Sequence, residues 1–201
     1  FLQSLSFVPA GLWGLSKAAY ASQTKSSASH RAKVAVATRP SVLDSSGLPD
    51  SAQVRKLLDD AVAAAAGKPD AGAAWNNLIA PSDTVGIKVN CLAGRGLSTH
   101  PELVAAIIDS VAAAGISKKN IIVWDRTEHD MVSAGFSMNG LNGARVLATD
   151  SRGVGYESSI EFSGEIGSCF SRLISQMCTA LINVPVLKDH DLAGVSLGMK
   201  N

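Results

Sequence analysis

Lys88 with Asn90, Asp125, and Lys188 with His190 are the side chains of this 201-residue chain whose types and places suggest chemistry. Two ammonium groups draw a carboxylate or phosphate. An imidazole exchanges a proton near neutral pH, and a carboxylate such as Asp125 orients it or holds a metal. Each of these residues closes or follows a short apolar run: VGIKVN at 85–90, NIIVWD at 120–125, and ALINVPVL at 180–187 with KDH behind it. Thr99 and His100 stand just before Pro101 at an expected helix start, where free N–H groups and the dipole favour an anion. Lys200 and Asn201 follow Gly194 and Gly198 in a loop-like stretch that is expected to fold back over the same place.

Taken one at a time, these residues have plainer readings. A strand-end lysine is a solvated charge, Asp125 caps the segment from Thr127, and His100 caps the helix at Pro101. His129 and Asp130 fall on a short helix and read as surface. The coincidence of two lysines, two carboxylates, an asparagine and a histidine at one end of the strands favours a ligand site. Asp125 and His190 are too few ligands for a metal, so no metal site is expected.

Such a site needs strands that all point the same way. Alternating strand and helix patterns predict an α/β fold, a mostly parallel sheet with helices on both faces and right-handed crossovers. The expected strands are 32–37, 84–90, 120–125, 145–149 and 180–187, with a further one near 156–162. Helices are expected from Asp50 or Ser51 to Ala66, over 71–80, from Pro101 to about Gly115, over 128–134 and over 168–178. In open parallel sheets the ligand lies outside the carboxyl ends of the strands, where the polar residues fall. Pro185 is awkward in a central strand and predicts an edge, a bulge or an early end.

Composition limits the alternatives. With 46% hydrophobic and 17% charged residues the chain reads as globular. A net charge of +1 and the lack of any Lys/Arg run argue against nucleic acid as a partner. Cys91, Cys169 and Cys178 have no CxxC spacing, which speaks against an iron–sulfur or zinc site made by this chain. They read as buried small hydrophobes.

Leu5–Leu15 is moderately apolar and is followed by Ala19-Tyr20-Ala21, the small-x-small pattern of a signal-peptidase site. The stretch is short of the roughly 20 residues a bilayer span needs. Phe1-Leu2-Gln3 resembles the end of a twin-arginine consensus. The expected layout is a partial signal peptide at 1–21, a polar linker at 22–31 and one α/β domain at 32–201, incomplete at its C-terminal end. It implies export to the periplasm, with no membrane span left after signal removal. An amphipathic N-terminal helix is the competing reading.

The strings VGIKVN at 85–90, THPELV at 99–104, IIVWD at 121–125 and LINVPVLKDHDLAGVSLGMKN at 181–201 resemble the domain of unknown function 362 family. The shared pattern is a strand ending K-x-N, a T-x-P before a helix, and N-x-P-x-x-K-x-H before a glycine-containing loop ending K-N. Here these are Lys88, Asn90, Thr99, Pro101, Asn183, Pro185, Lys188, His190, Lys200 and Asn201. Many members of that family carry ferredoxin-type iron–sulfur modules, for which this chain has no cysteines. The family is also distantly similar to nickel-pincer lactate racemases, and no residue is carried across from them.

Two functions are expected from these observations. One is an enzyme on a small anionic substrate, with Lys188 and His190 catalytic and Lys88, Asn90, Thr99, Asp125, Asn183, Lys200 and Asn201 binding the ligand. The other is a non-catalytic protein that captures an anion or metal complex, or serves as a redox partner. The cofactor and the oligomeric state are unknown at this level.

Overall fold

The computed structural model describes residues 33–201, so the signal-like segment and the linker lie outside the described residues. Helix α1 spans Ser51–Ala66 and starts where Asp50 accepts a hydrogen bond from the Gln53 N–H at 2.8 Å. It stops at Gly67, whose φ of 64° closes the helix in the left-handed conformation that glycine adopts without penalty. Helix α2, Ala71–Leu78, is capped in the same way by Asp70. Strand β1 (Val85–Lys88) follows, then α3 (Pro101–Ala113) with its proline in the first turn. Strand β2 (Ile121–Asp125) is buried along its whole length. Helix α4 (Glu128–Ser133), capped by Thr127, leads to β3 (Arg145–Ala148). A hairpin of β4 (Glu161–Ser163) and β5 (Ile166–Ser168) precedes a π-helical turn, Leu173–Met177. Then come β6 (Ala180–Asn183), β7 (Lys188–His190) and β8 (Gly194–Ser196).

Strands β1, β2, β3 and β6 form one all-parallel sheet in the order β3-β2-β1-β6. The fold is therefore α/β. Alternate residues of each strand feed two separate cores. On one face Val85, Ile87, Ile121, Val123 and Val146 pack with Val104, Ile107, Ile108 and Val111 of α3. The other face is thinner, with Ile122 and Trp124 against Val154 and Leu173. Fully burying side chains of this size stabilises by about 1.5–3 kcal/mol each, so the first face dominates stability.

This unevenness follows from topology. The chain steps from β1 to β2 to β3 with α3 and α4 on the first face, then returns past β1 to place β6 on its far side. Reversing direction while keeping right-handed crossovers puts the return segment on the second face. That return segment supplies the β4–β5 hairpin, loops and one π-helical turn, so helical structure covers both faces unequally.

Several expected elements differ. No strand forms at 33–37, and Val36 is 84% exposed; alternation there meets no neighbouring strand that would bury it. The helix expected over 168–178 shrinks to the π-helical turn, and Cys169 falls outside it. The strand expected over 180–187 ends at Asn183, two residues before Pro185, which has no N–H to continue a ladder. Lys188–His190 consequently does not close the parallel sheet but sits on a separate antiparallel hairpin with β8.

Candidate functional site

The strand order reverses between β1 and β6, and a crevice at such a reversal opens at the carboxyl ends. Lys88 is the last residue of β1, in register with Trp124 on one side and Asn183 on the other. Its ammonium donates to Asp125 Oδ1 at 2.8 Å, to the Val89 carbonyl at 2.7 Å and to Asn201 Oδ1 at 3.2 Å. An ammonium has three N–H groups, so all three are engaged. It also lies 5.4 Å from the centre of the Trp124 ring, in cation–π range.

Asp125 is buried and both of its oxygens are engaged. Oδ1 accepts from Lys88 and from the Arg126 N–H, and Oδ2 accepts from the Cys91 N–H at 2.7 Å. It does not reach His190, contrary to the expected orienting role, because the loop after β1 and the start of the segment after β2 claim it first. The neighbouring Cys91 thiol is pushed far above its ordinary pKa by burial and then by the Asp125 charge, so it stays neutral.

Asn90 joins the two lysines. Its Oδ1 accepts from Lys188 Nζ at 2.8 Å, while its Nδ2 donates to Asn201 Oδ1 at 3.1 Å. Asn201 in turn donates from Nδ2 to Asn183 Oδ1, and Asn183 donates to the Gly198 carbonyl, both at 2.7 Å. Lys188 makes one other bond, to the Leu97 carbonyl at 3.1 Å. None of the five ion pairs among the described residues involves Lys188. The two lysines thus differ: Lys88 is neutralised by Asp125, while Lys188 keeps its charge and one N–H.

Thr99 is buried and acts as a brace. Its hydroxyl donates to the Val184 carbonyl at 2.8 Å and accepts from the Asn90 N–H at 2.9 Å, tying the ends of β1 and β6 together. His100 caps α3 with no side-chain bond, and Lys200 is exposed. His190 lies two residues from Lys188 on β7, on the same side of the strand. Its Nδ1 accepts from the Leu192 and Ala193 N–H groups, both at 3.2 Å, so the neutral ring carries its proton on Nε2.

The structure therefore brings together Lys88, Asn90, Asp125, Asn183, Lys188 and Asn201, with Thr99 beneath them. Sequence reasoning missed Trp124 and the carbonyls of Val89, Leu97 and Gly198. Trp124 carried a signal, as the neighbour of Asp125 in a strand flanking β1; the carbonyls carried none. Two buried donors near the cluster have no partner among the described residues: Ser98 Oγ, beside Thr99, and the Trp124 indole N–H. Among the described residues no three side chains of His, Cys, Asp or Glu gather as a metal would require. A depression of about 640 Å³ near Lys119, Asn139 and Arg145 lies by the amino ends of β2 and β3, away from this cluster.

A family of proteins described as a domain of unknown function (DUF362) matches residues 85–201, a span that contains every residue of the cluster. No curated protein and no solved structure matches the chain.

Proposed function

The chain belongs to the domain of unknown function 362 family, and from that premise we propose that it binds a small oxyanion, a carboxylate or phosphate, in the crevice above β1 and β6. The observation that carries this reading is Lys188. Its ammonium is held by two neutral acceptors, Asn90 Oδ1 and the Leu97 carbonyl, with no carboxylate of the described residues paired to it. A preorganised cation with one N–H unused pulls an anion more strongly than a solvated lysine does. Ser98 Oγ, buried and without a partner, supports the same place, because folded proteins leave few such groups unsatisfied.

Calorimetric titration with acetate and with inorganic phosphate tests this directly. Lys188→Gln is expected to weaken binding by about tenfold or more, in line with a charge-assisted hydrogen bond. Unchanged affinity would remove Lys188 from the site and overturn the reading.

A second reading makes the site catalytic, with His190 carrying the proton. Its fixed tautomer supports that role, since Nε2–H is the donor left for a substrate. Turnover of an identified substrate lost in His190→Ala, with binding retained, is the expected outcome; full activity in that variant excludes it. The signal-like pattern at residues 1–21 supports export, and fractionation of cells expressing the protein from its natural start would find it in the periplasm.

A further inference from the structure

Asn201 sits where a ligand oxygen belongs. Its Oδ1 accepts at once from Lys88 Nζ and from Asn90 Nδ2, at 3.2 and 3.1 Å. One oxygen between an ammonium and a carboxamide N–H is the arrangement these groups offer a carboxylate or phosphate oxygen. The same Asn90 carboxamide holds Lys188 through its other atom, so the Lys188 N–H and this two-donor cradle are neighbours. Together they would take two oxygens of one anion.

The segment that delivers Asn201 is weakly attached. Leu192 in the preceding turn is 95% exposed, Met199 88% and Leu197 42%, so the segment's large apolar side chains are only partly covered by the body. Beyond the short β7–β8 ladder, its hold rests on buried Ser196, on the bonds of Asn183 to Gly198 and Asn201, and on the Lys88 and Asn90 bonds that a ligand oxygen would replace. Segments with few buried apolar contacts open at low free-energy cost.

We propose that residues Ser196–Asn201 form a strap whose Asn201 carboxamide oxygen stands in for a ligand oxygen, and that an oxyanion entering the crevice displaces it. This rests on the crevice being an oxyanion site, and adds that the protein competes with its own ligand. Anion binding therefore opens the strap and leaves Lys88 and Asn90 with a new acceptor in place of Asn201.

Titrations of the full chain with acetate and with inorganic phosphate, run separately, test the competition. Asn201→Ala removes the internal acceptor and is expected to tighten anion binding about five- to tenfold. Asn201→Asp adds a charge opposite Lys88 and is expected to weaken it. In the wild-type protein, the Lys200 and Asn201 amides, both bonded to the Leu197 carbonyl, are expected to exchange hydrogen faster at saturating phosphate. Weaker or unchanged binding in Asn201→Ala, or slower exchange with phosphate, overturns the strap. Lys188→Gln made in the Asn201→Ala background separates the two ideas. If anion binding there is as tight as in Asn201→Ala alone, the oxyanion site itself is misplaced. If neither anion binds any of these proteins, both ideas fall.

Discussion

The two sides of the crevice are built on opposite principles. On one, Lys88 and Asp125 stand at the ends of central strands over the larger core, with all three ammonium N–H groups and both carboxylate oxygens engaged. On the other, Lys188 and Asn201 come from a hairpin and strap that leave Leu187, Leu192 and Met199 in solvent. The first side is polar and fixed by burial. The second is apolar on its exposed surface and held by amides. The difference shows where a site of this kind can move: the charge that is neutralised is immobile, and the charge that is unpaired rides on the looser part.

Breaking the fixed side is expected to cost most. Asp125→Ala leaves Lys88 half-buried without its counter-charge and the Cys91 N–H without an acceptor, a loss of about 3–5 kcal/mol by urea denaturation. A loss below about 1 kcal/mol would mean the pair contributes little and the two sides do not differ as described. Next comes the underside of β1. A Cβ added at Gly86 would lie 2.6 Å from Cys178 Sγ and 2.9 Å from Leu181 Cδ2. Gly86→Ala is therefore expected to destabilise by about 1–3 kcal/mol, and Cys178→Gly in the same protein should recover part of it.

The looser side predicts near-silence. Leu192→Ser and Met199→Gln are expected to shift stability by no more than about 0.5 kcal/mol, since neither side chain is buried. A larger loss would place those residues against something the rest of the chain does not provide. A further effect concerns pH and shows only in alkali. Burial pushes the Cys178 thiol up to about 11 from 9.0. The folded state thus holds that proton after the unfolded chain has released it. Its contribution is present in full below pH 9 and is lost as pH rises toward 11. Across that window the stability of the wild type is expected to fall with pH more steeply than that of Cys178→Ala, as urea denaturation at each pH would show.

How much was legible beforehand depends on the kind of signal. The α1 cap at Asp50, the stop at Gly67 and the proline at the start of α3 are local, and each appears where its residues place it. The parallel sheet followed from apolar runs separated by helix-period stretches. Alternation at 33–37 misled, because a strand also needs a partner and no sheet edge receives Val36. At 168–178 a helical pattern produced only a π-helical turn, since Ser168 is already paired in the β4–β5 hairpin and Ser171 bridges to Tyr156. At the site, residue type was readable and pairing was not. Lys88, Asn90 and Asp125 stood out by position at strand ends, yet nothing in the sequence says that Asp125 chooses Lys88 over His190. That choice is set by register: β1 and β2 lie side by side, while His190 is carried off on β7.

The span of the contacts across the crevice has a kinetic meaning. Asn90 meets Lys188 across 98 positions of chain, and Lys88 meets Asn201 across 113. Contacts at such separation close only after long loops have been ordered, and they slow folding. The lysines therefore become neighbours in a chain whose helices have already formed, and affinity for an anion should lag behind the recovery of helical signal during refolding. On the proposed reading the ability to bind is a late event, a report that β6 and the hairpin after it have found their place beside β1.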